Sequence, residues 1–169
     1  NKAIDLIRKS IKVNPDNHQA HSNLGLVFQR LGKFNDAVNC FNKALEIRSD
    51  SAEAYNNLGN ALKALGQLDD ASTNYSTALA IKPDYAEAHN NLGLTLKELR
   101  RLEEVEACYR QAISLKSDFA EAYGNLAVIL MELNRLDESE ICLRQSIILK
   151  TDNTKVYNNL SITLRALGR

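Results

Sequence analysis

This sequence has no net charge. Its 169 residues carry 21 basic and 21 acidic side chains, interspersed along the chain, so no basic field exists to attract a phosphate backbone or anionic lipid. Nucleic acid is therefore not the expected partner. No apolar run approaches the roughly 20 residues that a membrane-spanning helix needs, so no membrane partner is expected either. Residues Asn1 to Ser10 lack the pattern of a signal peptide, which leaves location undetermined with a cytoplasmic setting as the default. Two prolines, Pro15 and Pro83, and seven glycines are too few for a linker and predict one continuous architecture over residues 1–169. There is no Cys-x-x-Cys pair, glycine-rich phosphate loop, nucleophile elbow or Ser/His/Asp arrangement, so no catalytic residue, metal or cofactor is expected. His18 and His21 share a helical face but have no third metal ligand nearby.

What is present is apolar content and periodicity. With 44% apolar residues the chain can bury a substantial core. Shifting it by 34 positions aligns Asn23-Leu24-Gly25 with Asn57-Leu58-Gly59, Asn91-Leu92-Gly93, Asn125-Leu126-Ala127 and Asn159-Leu160-Ser161. Leu31, Leu65, Leu99, Leu133 and Leu167 follow the same period, as do Ala44, Ala78 and Ala112 with Ser146. Within one copy, Tyr55, Leu58, Leu62 and Leu65 recur at three- and four-residue steps and predict an amphipathic helix. Leu68, Ala71, Tyr75, Ala78 and Leu79 predict a second.

The boundaries are readable too. Asp50, Asp84 and Asp118, each followed three residues on by Glu53, Glu87 or Glu121, read as N-cap aspartates opening the first helices. Gly32, Gly66 and Gly168 suit a left-handed turn between the helices. Arg100 and Asn134 stand at the same place, where a side chain costs roughly 1 kcal/mol, so the third copy is expected to bend differently. Small residues at Gly25, Gly59, Gly93 and Ala127 are expected to face Ala37, Ala44, Ala71 and Ala78 and let the helices approach closely. One pair cannot bury both its apolar faces, so pairs must stack.

The residues Tyr55, Leu58, Gly59, Ala71, Tyr75, Ala78 and Pro83 resemble the signature of the tetratricopeptide repeat (TPR) family, with His21 and His89 departing where an aromatic is usual, and Val105 and Ser139 where an alanine is. The resemblance covers the whole chain. It implies an all-α fold, a right-handed α-solenoid of antiparallel helix pairs forming a superhelix. Residues 1–17 would be the second helix of a truncated repeat, 18–51, 52–85, 86–119 and 120–153 four full repeats, and 154–169 a first helix. A longer parent array is expected, because Leu160 and Leu164 await a partner.

In such a superhelix the first helices line the concave surface, where Asn23, Asn57, Asn91, Asn125 and Asn159 form a column joined by Asn56, Asn90 and Asn158 one place earlier. Asparagine is a mediocre helix former, so five mid-helix copies call for a reason. A carboxamide can bond at once to the C=O and N–H of an extended peptide. Helices about 8 to 10 Å apart would meet roughly every third residue of a strand advancing about 3.3 Å per residue. The column resembles that of the repeat domain of O-linked N-acetylglucosamine transferases, which implies backbone-directed binding of protein substrates. Two other readings stand beside it: bonds to adjacent helices, or retention after duplication. The neighbouring column Gln29, Lys63, Lys97, Met131 and Arg165 has diverged, so ancestry alone does not hold a position constant.

The expected function is a protein-interaction scaffold holding a protein or peptide in extended conformation, through those asparagines with Asn60, Lys63, Lys97 and the apolar strip Leu26, Leu94 and Val128 with Ile162. A clamp for a C-terminal carboxylate is not expected, since Ser22, Asn56, Asn90 and Gly124 replace its lysine and only Asn60 keeps its asparagine. Glu53, Glu87 and Glu121 at helix starts and Lys63, Lys97 and Arg165 at helix ends read as macrodipole complements. Two alternatives remain open, a substrate-recruiting arm of a larger transferase and a homo-oligomer formed through exposed end helices. Cys40, Cys108 and Cys142 lie whole repeats apart, about 8 to 10 Å or more, too far for intrachain disulfides, and read as packing residues.

Overall fold

The three- and four-residue apolar spacing produces helices throughout. The computed structural model describes residues 2–169, and among them are ten α-helices and no strand. They fall into two compact units. The first ends at Asp84 and holds α1 (Lys2–Val13), α2 (His18–Arg30), α3 (Phe34–Ile47), α4 (Ala52–Ala64) and α5 (Leu68–Ile81). The second, Tyr85–Arg169, holds α6 (Ala86–Glu98), α7 (Leu102–Leu115), α8 (Ala120–Glu132), α9 (Leu136–Leu149) and α10 (Thr154–Ala166). None of the described helices is long and apolar enough to cross a membrane.

In the first unit α2 packs on α3 and α4 on α5, while α1 lies against α2 and α3 against α4. In the second, α6 packs on α7 and α8 on α9, with α7 against α8 and α9 against α10. Each unit is thus a stack of helix pairs, with α3 shared between α2 and α4, α7 between α6 and α8, and α9 between α8 and α10. The interior follows. Ala37, Phe41, Ala71, Tyr75 and Ala78 have no exposed surface in the first unit, and Val105, Tyr109, Leu126, Ile129 and Leu130 form the main cluster of the second.

Each turn within a pair closes identically. Gly32, Gly66 and Gly168 have φ of 71°, 77° and 72°, and Arg100 and Asn134 adopt the same conformation at 62° and 58°. The following amide donates five residues back: Gln67 N–H to Leu62 C=O and Arg101 N–H to Leu96 C=O, both at 3.0 Å. This is the Schellman pattern, which satisfies carbonyls orphaned at the helix end. The altered bend expected at Arg100 is not found, because this bond and the α6–α7 packing enforce the turn whatever the side chain.

The expected caps are corrected. Ser51, not Asp50, caps α4, its hydroxyl accepting from Ala54 N–H at 3.2 Å. Tyr85 and Phe119 precede α6 and α8 without a side-chain cap. Asp50, Asp84 and Asp118 each sit one place too early, since a cap must immediately precede the first helical residue. The glycine contacts are also corrected. A Cβ on Gly25, Gly59 or Gly93 would come within 2.7 Å of the ring of Phe41, Tyr75 or Tyr109, so these glycines face aromatic rings rather than alanines.

Candidate functional site

The first helices present the asparagine column, and within each unit its members differ in environment. In the first unit, Asn23 on α2 is exposed, with its Oδ1 accepting from Gln19 Nε2 at 3.3 Å. Asn57 on α4 is half-buried and its amide has no hydrogen-bond partner among the described residues. It borders a small recess with Ser22, Leu26 and Glu53. A wider recess, about 280 Å³, is lined by Ile7, Asn23, Leu26, Val27 and Arg30. No sequence signal pointed to Ile7 or Arg30, because the recess exists only once α1 packs beside α2.

In the second unit, Asn91, Asn125 and Asn159 are half-buried on α6, α8 and α10. Asn125 Nδ2 donates to Asn90 Oδ1 at 3.0 Å, and Asn90 Nδ2 donates to Glu121 Oε1 at 3.2 Å. With 2% of its surface exposed, Asn90 is a buried link between α6 and α8. Asn56 is similarly buried, at 5%. The bond leaves Asn125 its acceptor oxygen and one N–H. Asn159 has no side-chain partner among the described residues, and Asn158 is exposed.

The remaining candidates differ in exposure and in what they touch. Leu26, Leu94 and Val128 are half-buried and Ile162 is 53% exposed, an apolar set on the first helices. Asn60 Oδ1 accepts from Tyr75 Oη at 2.7 Å, so it secures the ring that fills the space over Gly59. Lys97 pairs with Glu132 of the next repeat at 3.0 Å and Glu87 with Lys116 of its own repeat at 2.8 Å, so charges read as macrodipole complements also form ion pairs within and between repeats. Lys63 is half-buried near the end of α4. His21 Nε2 lies 2.9 Å from the Pro15 carbonyl oxygen, a polar contact in place of the usual aromatic packing.

Cys40, Cys108 and Cys142 are free thiols, half-buried on the second helices. Burial pushes Cys40 and Cys108 up to about 11, with nearby Asp36 and Glu104 adding to the effect, and raises Cys142. At neutral pH they are protonated and poor nucleophiles. No group of three His, Cys, Asp or Glu side chains among the described residues is placed to hold a metal ion.

Comparison with known proteins agrees with this architecture. Profiles described as TPR repeat match residues 30–66 and 59–99, and profiles described as tetratricopeptide repeat match 86–119 and 120–153. No curated protein matches. Among solved structures, a MamA crystal structure is 26% identical over 88% of this chain and 86% of its own, with a TM-score of 0.80. YrrB, described as a TPR protein with an unusual peptide-binding site, is 20% identical over 96% and 84%, also at 0.80. The first TPR of Spaghetti (RPAP3), bound to the HSP90 peptide SRMEEVD, is 20% identical over 70% and 94%, at 0.67. Stacked helix pairs, left-handed turns at one register and profile matches running from residue 30 to 153 agree: the chain belongs to the tetratricopeptide repeat family.

Proposed function

We propose that this chain is a protein-interaction scaffold that holds an extended polypeptide against the face of its first helices. The observation that carries the reading is the unspent bonding capacity of Asn57 and Asn159: half-buried amides with no partner among the described residues. A carboxamide in that position loses part of its hydration without gaining a bond, unless a ligand supplies one. A peptide backbone offers a donor and an acceptor at every residue, so it satisfies such amides whatever its side chains. Leu26, Leu94, Val128 and Ile162 add apolar contact for some of those side chains.

The family is one of interaction modules, and two structural neighbours are described with peptide sites or peptides. At 20% identity they speak for the fold rather than for the ligand. Likeness of the asparagine column to that of O-linked N-acetylglucosamine transferases supports backbone-directed contact. Asn90 and Asn56 then serve as framework, Asn90 holding Asn125 in position, and Asn60 supports Tyr75. A peptide selected from a random display library on this chain, then N-methylated one residue at a time, tests the reading. Loss of affinity at methylated positions recurring every few residues is expected. Affinity that depends on side-chain identity and ignores N-methylation would reject it.

A further inference from the structure

A second surface lies between second helices, over the first helix that separates them. In the first unit α3 and α5 leave between them a recess of about 540 Å³, with Leu45, Leu58 and Leu62 among its apolar lining and Tyr55, Asn42 and Asp70 as polar members. Neither Asp70 nor Tyr55 has a charged or hydrogen-bonding side-chain partner among the described residues. Glu46 on the rim is taken by Lys43 at 2.7 Å.

The same positions two repeats later, within the second unit, are differently equipped. Arg110 stands where Asn42 stands, Glu138 where Asp70 stands, and Tyr123, Leu126 and Leu130 match Tyr55, Leu58 and Leu62. There Arg110 spans from α7 to α9, its Nη2 donating to Glu138 at 3.0 Å and its Nε to Glu106 at 2.8 Å. At this place the second unit pairs its carboxylate with its own guanidinium. The first retains the carboxylate and the aromatic residue but has asparagine in place of the arginine.

We propose that the recess between α3 and α5 is a docking site for an arginine side chain of a protein partner. A guanidinium matches it better than an ammonium. Its planar fork meets a carboxylate bidentately, its flat face stacks on a tyrosine ring, and its weak hydration suits an apolar surround. Charge complementarity to Asp70 sets the sign of the ligand, and the Arg110–Glu138 pair shows that guanidinium–carboxylate contact made in cis. This site is separate from the first-helix face, and either can fail without the other.

The test is an NMR titration of the whole chain with acetyl-Ala-Leu-Arg-Leu-Ala-amide and with its lysine counterpart. Amide shifts are expected to cluster at Asn42, Tyr55 and Asp70, with the lysine peptide binding several-fold more weakly. Asp70→Asn and Asn42→Arg, the latter filling the recess as Arg110 does, should each weaken binding by about tenfold or more. Both positions are on the surface, and thermal melts of the variants establish that they fold; should Asn42→Arg misfold, the nearly isosteric Asp70→Asn carries the comparison. Absent shifts at millimolar peptide, shifts confined to the first helices, or equal affinity for Asp70→Asn would overturn the proposal. So would self-association that Asn42→Arg abolishes, since a second copy would then be the occupant.

Discussion

A Cβ built on Gly93 would stand 2.7 Å from Cε1 of Tyr109, a ring with no exposed surface. The same relationship joins Gly59 to Tyr75 and Gly25 to Phe41. In the fourth repeat both partners change together: Ala127 takes the glycine position and Leu143 the aromatic one, and both are fully buried. Volume is conserved across the helix pair, with the larger first-helix residue facing the smaller second-helix one.

Gly93→Ala is therefore expected to destabilise the protein although alanine is the better helix former. The propensity gain is about 1 kcal/mol. Overpacking against a ring that cannot move costs about 1–3 kcal/mol, and should prevail. Combining Gly93→Ala with Tyr109→Leu should cost less than the sum of the two single changes, as read from denaturant midpoints. Simple additivity would remove the complementary-volume account.

The hydroxyl of Tyr109 is buried without a hydrogen-bond partner, whereas that of Tyr75 donates to Asn60. The difference traces to one residue, because Leu94 occupies in the third repeat the place Asn60 holds in the second. Tyr109→Phe should thus raise the melting temperature, by the equivalent of about 1 kcal/mol, and Tyr75→Phe should lower it by a similar amount. Leu94→Asn should reverse the sign of the Tyr109→Phe effect.

Arg100 pays a conformational cost that Gly32 and Gly66 avoid, at φ 62°. Replacing it by glycine should stabilise by about 1 kcal/mol, and Asn134→Gly by less, because asparagine tolerates this conformation better. Gly66→Ala should destabilise even though no atom lies within 4 Å of its would-be Cβ, the cost being backbone alone. Thermal melts of the three variants check the order.

The outer side of the second unit carries an ion network. Glu106 lies between Arg110 and Arg135, both at 2.8 Å, and Arg135 also meets Glu138. The guanidiniums, Arg110 foremost, hold the Glu106 carboxyl below its ordinary 4.5. A depressed carboxylate contributes stability that is complete above the unfolded value and fades as pH falls through the folded one. The melting temperature should accordingly drop as pH falls below about 4.5, and Glu106→Gln should flatten that dependence. High salt should narrow the difference between the two proteins at neutral pH, because the network is largely solvent-exposed.

Much of the fold was legible because its unit repeats. The period of 34, the helix pairs and the left-handed turn at Gly32, Gly66 and Gly168 follow from spacing and residue type, whereas the same turn at Arg100 and Asn134 shows only in the structure. The caps were misread by one place: Asp50 and Ser51 are both good cap residues, so sequence alone does not set which one α4 follows, and at α6 and α8 the cap place falls to Tyr85 and Phe119, which make no side-chain cap. The pairing of glycine with an aromatic ring lies across two helices and carries no local signature. The site divides the same way. Asparagine recurs at one place of the repeat in the sequence, but that Asn90 is buried and bonded depends on Glu121 and Asn125 meeting it from the next helix. The recess between α3 and α5 is invisible until two second helices are held apart by the first helix beneath them.

That division makes the central claim testable by one comparison, the affinity and melting temperature of Asn57→Ala, Asn159→Ala and Asn90→Ala measured against a display-selected peptide. If unspent amides bind backbone, the first two should weaken binding by about tenfold when combined while leaving the melting temperature unchanged or slightly higher, alanine being the better helix former. Asn90→Ala should lower the melting temperature, since it strands Asn125 and Glu121 of their partner. Unchanged affinity in the combined Asn57→Ala and Asn159→Ala protein, or a loss of binding that only tracks a loss of stability, would contradict the account.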